Sequence, residues 1–244
     1  EVRYDTWGEA LAAAQDGDTI KCYADISGTD LDFKTDHNVT LNLNGKTLSG
    51  DNAMTIKNTG SGTVTLTGGT LKQPYCTNIL NLGAKQVTIS EGKFVFDNLT
   101  LQNVATSGDN HFTVTVSGGA KLKVTSGTFE AEIKGNEGDV EISGGSFGLH
   151  LTGYNLPAPD AKLLAQDRII LSEKSGNTTT YTVVEHKHNY VYGAVDNVIT
   201  AVCDAVNHEF CGFNVQKLTL TAENKVADGS PYTDAKVEAD EGFP

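Results

Sequence analysis

The sequence predicts an all-β chain: a solenoid of parallel strands opened by a cap helix and followed by a small antiparallel β module. Three observations carry this prediction. A phrase of one strand, a glycine corner and a return to an apolar residue occurs four times, at Val64–Leu71 (VTLTGGTL), Val87–Phe94 (VTISEGKF), Leu122–Phe129 (LKVTSGTF) and Val140–Phe147 (VEISGGSF). A unit this small cannot bury its apolar face alone and must stack on its neighbours. The composition agrees: 26 glycines, one Met and 7% aromatics among 244 residues suit short strands and tight turns. Helical periodicity is confined to one short stretch near the start.

That stretch is residues 6–15. Thr6 and Glu9 have capping-box spacing, and Trp7, Leu11 and Ala14 form one apolar stripe, which gives Trp7 a core role. After a turn at Asp16-Gly17-Asp18, Thr19–Tyr23 reads as the first strand. Val39–Leu43 alternates apolar and polar residues, turns at Asn44-Gly45 and returns at Leu48. Counting from Leu41 to Val64, Val87, Val114 and Val140 gives steps of 23, 23, 27 and 26 residues, one solenoid coil each, with Leu122 opening an inserted copy. Inward alternation then stacks Val64, Val87, Val114 and Val140 in one ladder and Leu66, Ile89, Val116 and Ile142 in the next. Phe94, Phe129 and Phe147 share one coil position and predict an aromatic ladder. A β-sandwich of antiparallel hairpins would use similar residues, but the near-constant step and repeated corner chemistry point to the solenoid.

Open solenoid ends need caps. The helix covers the first coil. At the other end stand residues 154–168, with Pro157, Pro159 and an apolar patch at Ala161–Ala165, then a closing hairpin of Ile169–Leu171 and Tyr181–Val184 across Ser175-Gly176-Asn177. The composition changes near Glu185. Asn189–Tyr192 and Val198–Cys203 read as a hairpin turning at Asp196-Asn197, with Leu218–Thr221 as a third strand. The expected domains are therefore 1–184, a Cys/His-containing β module at 185–222, and the start of a further domain or linker at 223–244.

The net charge of −13, from 18 basic and 31 acidic residues, argues against nucleic acid and anionic membranes as partners. No apolar run reaches the roughly 18–20 residues that span a bilayer, so no membrane insertion is expected. Glu1 opens the chain with neither Met nor a signal peptide, so a mature or trimmed fragment of an extracellular or cell-surface protein is expected. Of the four cysteines, Cys22 and Cys76 lie among strand-like apolar residues and read as buried free thiols.

The Val-Thr-Ile-Ser-Gly-Gly-x-Phe phrase resembles the coils of pectate-lyase-like right-handed parallel β-helix modules in large bacterial cell-surface proteins. Glu9–Ala14, Asp16–Ile20 and Asn42–Leu48 resemble the opening of such modules, namely cap helix, first strand and first full coil. The resemblance covers about residues 1–184. It implies a right-handed β-helix and brings no catalytic residue with it. His188, Tyr190, Tyr192, Ile199–Ala201, Cys203, Cys211 and Leu218–Leu220 are similar to small linker modules that follow such helices. Asp228, Gly229, Pro231 and Tyr232 resemble the start of an immunoglobulin-like surface domain.

Enzymes on the resembled fold work on acidic polysaccharides. A lyase needs a carboxylate cluster for calcium and an Arg or Lys base, and a hydrolase needs paired carboxylates. Glu130, Glu132 and Glu141 are the candidates for a small outward acidic patch, drawn from a wider set that also holds Asp97, Asp109, Glu137 and Asp139. Their plain alternative is a solvated strand face that discourages edge pairing. The arginines, Arg3 and Arg168, lie outside the repeats, leaving Lys123 and Lys134 as bases without a recognisable motif. Glycan contact would use aromatic platforms at Tyr75, Phe112 and Tyr154. His186, His188, Cys203, His208 and Cys211 could complete a tetrahedral zinc site, yet their spacing matches no standard finger. A Cys203–Cys211 disulfide stapling a small extracellular module is the expected alternative. The sequence thus predicts a non-catalytic, adhesin-like or structural module that needs no cofactor and contacts a glycan or a host or cell-surface protein. A polysaccharide lyase or glycoside hydrolase is the competing function.

Overall fold

A computed structural model describes residues 2–28, 30–50, 53–72, 86–103, 112–136, 138–148, 156–203, 215–221, 235–240 and 243. The chain divides into two compact units, Glu1–Glu185 and His186–Pro244.

The first unit opens with helix α1 (Trp7–Ala13). The Thr6 side chain accepts from the Glu9 N–H, and the Glu9 carboxylate accepts from the Thr6 N–H, both at 3.2 Å. This reciprocal cap satisfies two donors that the first helical turn leaves open. Ala10, Leu11 and Ala14 are buried, while Trp7 is half-buried and sets its ring edge-on to Phe33 at 5.3 Å. Phe33 in turn meets Phe94 at 5.8 Å, so an aromatic relay runs from the cap into the core. Thr6→Ala is expected to lower stability by about 1 kcal/mol, read as a shift in the denaturant midpoint followed by Trp7 fluorescence.

The strands then repeat a three-step circuit. Its first passes are β1 (Thr19–Lys21), β2 (Ile26–Ser27) and β3 (Asp30–Asp32), then β4 (Val39–Asn42), β5 (Thr47–Ser49) and β6 (Met54–Lys57). The circuit continues through β7 (Thr63–Thr67), β8 (Thr70–Lys72) and β9 (Gln86–Glu91), and through β10 (Lys93–Asp97), β11 (Leu99–Gln102) and β12 (Thr113–Val116). It ends with β13 (Lys121–Val124), β14 (Gly127–Phe129) and β15 (Glu132–Lys134), then β16 (Val140–Ile142) and β17 (Gly145–Phe147). Each strand pairs with the strand three later, giving parallel sheets ordered β1-β4-β7-β10-β13-β16, β2-β5-β8-β11-β14-β17 and β3-β6-β9-β12-β15.

Alternation sends every second residue inward, and the register stacks these residues as ladders. In the first sheet Val39, Val64, Phe94, Leu122 and Val140 align, beside Leu41, Leu66, Phe96, Val124 and Ile142. The second sheet aligns Leu48, Leu71, Leu101, Phe129 and Phe147. In the third, Met54, Val87, Val114 and Ile133 align. All are buried, and each large one contributes about 1.5–3 kcal/mol relative to exposure.

These registers correct four expectations. Val64 and Val140 belong to the first sheet, but Val87 and Val114 belong to the third, so they do not share a ladder. Phe129 and Phe147 do stack, at 4.8 Å and 23°, whereas Phe94 lies in the first sheet between Val64 and Leu122. The cause is that the phrase serves two corners. At Val64–Leu71, Leu122–Phe129 and Val140–Phe147 it turns from the first sheet to the second; at Val87–Phe94 it turns from the third to the first. Nor is the step constant: ladder partners Leu41, Leu66, Phe96, Val124 and Ile142 are 25, 30, 28 and 18 residues apart. Leu122 is a regular ladder member and no insertion.

Polar corners stack as well. Asp16 accepts from the Asn38 N–H at 2.8 Å, and Asn38 accepts from the Thr63 N–H at 3.0 Å, one circuit further on. Hydrogen bonds from the Ser61 N–H and hydroxyl hold the Asp36 carboxyl below the usual carboxylate range. Buried Asn58 accepts from the Thr35 N–H at 2.9 Å and donates to the Thr35 and Gly62 carbonyls at 3.0 and 2.9 Å. At the far end, Leu164 bridges in parallel to Ile142, and the hairpin of β18 (Arg168–Ser175) and β19 (Thr178–Glu185) pairs antiparallel with β17 through Phe147 and Tyr181.

The second unit is an antiparallel sheet in the order β20 (Tyr190–Val195), β21 (Val198–Cys203), β22 (Val215–Thr221) and β23 (Lys236–Ala239). Asp196, at φ 52°, turns the first hairpin. Leu220 pairs with Val237, so part of the stretch expected to begin another domain is the fourth strand of this sheet. Among the described residues no helix is long and apolar enough to cross a membrane.

Candidate functional site

The proposed acids do not converge. Glu130 sits at the corner after β14, where its carboxylate accepts from the Asn103 N–H at 3.0 Å. Glu132 lies in the third sheet and pairs with Lys134 at 3.0 Å, while Glu141 lies in the first sheet and pairs with Lys123 at 3.1 Å. Glu130 and Glu132 therefore do not share a strand face: the chain turns a corner between them. Among the described residues no three carboxylates gather closely enough to hold a cation. Asp109 and Glu137 lie outside the described residues.

The aromatic platforms fare similarly. Phe112 is fully buried, with no exposed surface to offer a sugar. It precedes β12, whose inward residues continue the same apolar interior. Tyr75 and Tyr154 lie outside the described residues.

A feature missed by the sequence reading is a groove over the outward side of the first sheet. Lys93, Lys121, Lys123 and Lys162 line it, against Asp139 and Glu141. Lys93 and Lys121 are direct neighbours across β10 and β13, and Lys162 comes from the turn at Ala161–Leu163. Lys121 bonds Asp139 at 2.8 Å, and this contact holds the Asp139 carboxyl below its usual range. Among the described residues Lys93 and Lys162 have no carboxylate partner. The signal was present as lysines at outward positions of two strands, but their adjacency depends on a register the sequence does not display.

The second unit brings together three of the five predicted metal candidates. The His186 Nε2 lies 3.3 Å from the Cys203 Sγ, and both residues are buried. His188, half-buried, meets His186 edge-on at 4.6 Å and stacks on Tyr190 at 5.2 Å and 17°. The ligating atoms of His186, His188 and Cys203 all lie within 4.8 Å of one another. His186 and His188 lie between β19 and β20, outside either strand, and their rings converge there. Pairing of Tyr190 with Cys203 then delivers the thiol to them. Cys203 is a free thiol directed at His186; Cys211, its expected disulfide partner, and His208 lie outside the described residues. Cys22 is also a buried free thiol, and burial raises its pKa. Cys76 lies outside the described residues.

Comparison with known proteins gives no match: no family model, no curated protein and no solved structure is significantly similar to this chain.

Proposed function

We propose that the first unit is a right-handed parallel β-helix of the pectate-lyase-like kind. In this reading it is a non-catalytic module of a larger secreted or cell-wall protein, adhesin-like in role, that contacts an anionic glycan through the lysine groove. The observation that carries this reading is the gathering of four lysines, three on the outward face of the first sheet and one from the adjoining turn, in a chain with net charge −13. The repeated phrase supports it from the other side, because its inward residues are occupied by ladder packing and only outward positions are left for contact. The separated acids, each engaged by a hydrogen bond or a lysine, favour a binding face over a reaction centre.

A glycan with carboxylate or sulfate groups would pair with Lys93 and Lys162, and the interaction would weaken as salt screens it. Titration of the chain with polygalacturonate and with a sulfated glycosaminoglycan tests this. Binding that falls with ionic strength, and about tenfold further in a Lys93→Glu/Lys162→Glu variant, is the expected result. Retention of neither polymer would overturn glycan contact. Release of unsaturated or reducing ends would overturn the non-catalytic role.

A further inference from the structure

We propose that His186, His188 and Cys203 bind a zinc ion that braces the second unit. A tetrahedral centre with bonds of about 2.0–2.3 Å separates its ligands by about 3.3–3.8 Å. The His186 Nε2 and Cys203 Sγ already stand at 3.3 Å, and all three ligating atoms fall within 4.8 Å. A simple hydrogen bond between His186 and Cys203 would not require a second imidazole to converge on the pair, and here His188 does. Two imidazoles and one thiolate suit a borderline-soft divalent ion; calcium and magnesium require oxygen ligands, which this group lacks. Binding would release the Cys203 thiol proton to solvent, and each histidine would coordinate through a neutral ring nitrogen. Three protein ligands leave a fourth position for water or another donor.

The surroundings supply the reason for such a brace. Among the described residues of the second unit only His186, Ala201, Cys203 and Gln216 are buried, and two of these are the proposed ligands. Val191, Val195, Val202, Val215 and Val237 remain exposed, so the described strands bury few apolar side chains. Small units with few buried apolar side chains commonly need a staple, and a metal is one kind. Tyr190 stacks on His188 and pairs with Cys203 in the ladder, so strand pairing itself holds one imidazole and the thiol in place.

The whole chain, purified under reducing conditions, is stripped with a chelator and titrated with zinc and with cobalt(II). The expected result is one zinc per chain, one fewer reactive thiol in the zinc form, and a thiolate-to-cobalt charge-transfer band with tetrahedral visible absorption. Cys203→Ser should abolish the charge-transfer band while Cys22→Ser keeps it. His188→Ala should weaken zinc binding by at least about tenfold, the loss seen for even an outer-shell partner. Failure of the reduced wild-type chain to take up either metal would overturn the proposal and leave a hydrogen-bonded His186–Cys203 pair. So would a cobalt spectrum unchanged in Cys203→Ser, or Cys203 found in a disulfide in the native protein. The wild-type metal content and spectrum decide the matter even if a variant fails to fold.

Discussion

Replacing Phe129 with alanine is expected to lower the stability of the first unit by about 3–5 kcal/mol. The ring is fully buried, aligned with Leu101 on one side and stacked on Phe147 at 4.8 Å on the other. Truncation removes apolar burial and leaves a cavity that neighbouring ladders cannot close, because their strands are hydrogen-bonded on both sides. Phe129→Leu keeps most of the volume and should lose less than about 2 kcal/mol. Denaturant titration followed by Trp7 fluorescence measures both. Trp7 is the chain's only tryptophan and belongs to the first unit, so the signal reports on that unit. Equal losses in the two variants would show that ring packing at this position does not matter.

The second large effect is expected at Gly92, and Gly119 supplies its control. Both hold positive φ, 91° and 83°. An alanine at Gly119 would meet nothing within 4 Å, so it should lose only the backbone preference, about 1 kcal/mol. An alanine at Gly92 would place its Cβ 2.6 Å from the Asn58 carbonyl oxygen and 2.8 Å from the Asn58 Cβ. Asn58 cannot step aside, because its side chain bridges Thr35 and Gly62 in the buried corner beneath. Strain and overpacking together should bring the Gly92→Ala loss to about 3 kcal/mol. The difference between the two variants isolates close approach between successive circuits from the demand for positive φ. Similar midpoints for Gly92→Ala and Gly119→Ala would overturn that separation.

Much of this architecture was legible residue by residue. Alternation in Val64–Thr67 and Val87–Ser90 marked strands, Thr6 and Glu9 marked the helix start, and the glycine corners marked where strands end. What the repeated phrase concealed was which corner it occupied. Val87–Phe94 and Val140–Phe147 look alike because both corners require a small residue at a sharp turn against the next circuit. That demand is local, so the same chemistry answers it at either place. The ladder membership of Phe94 therefore emerged only from strand pairing. The candidate sites divide in the same way. His186, His188 and Cys203 could be grouped from their residue types, since ligand chemistry is a property of side chains. The lysine groove could not, since Lys93 and Lys121 are 28 positions apart and meet only through the register of β10 and β13.

The sequence by itself marked the strands of the repeated phrase, the cap, the corners and which His and Cys side chains suit a metal, because backbone preference, alternation and ligand chemistry act over a few residues. Only the tertiary structure decided which apolar residues stack, how long each circuit runs, which acids stay apart and which lysines meet. Those outcomes depend on hydrogen-bonded register between strands 18 to 30 residues apart, and no local preference encodes that register.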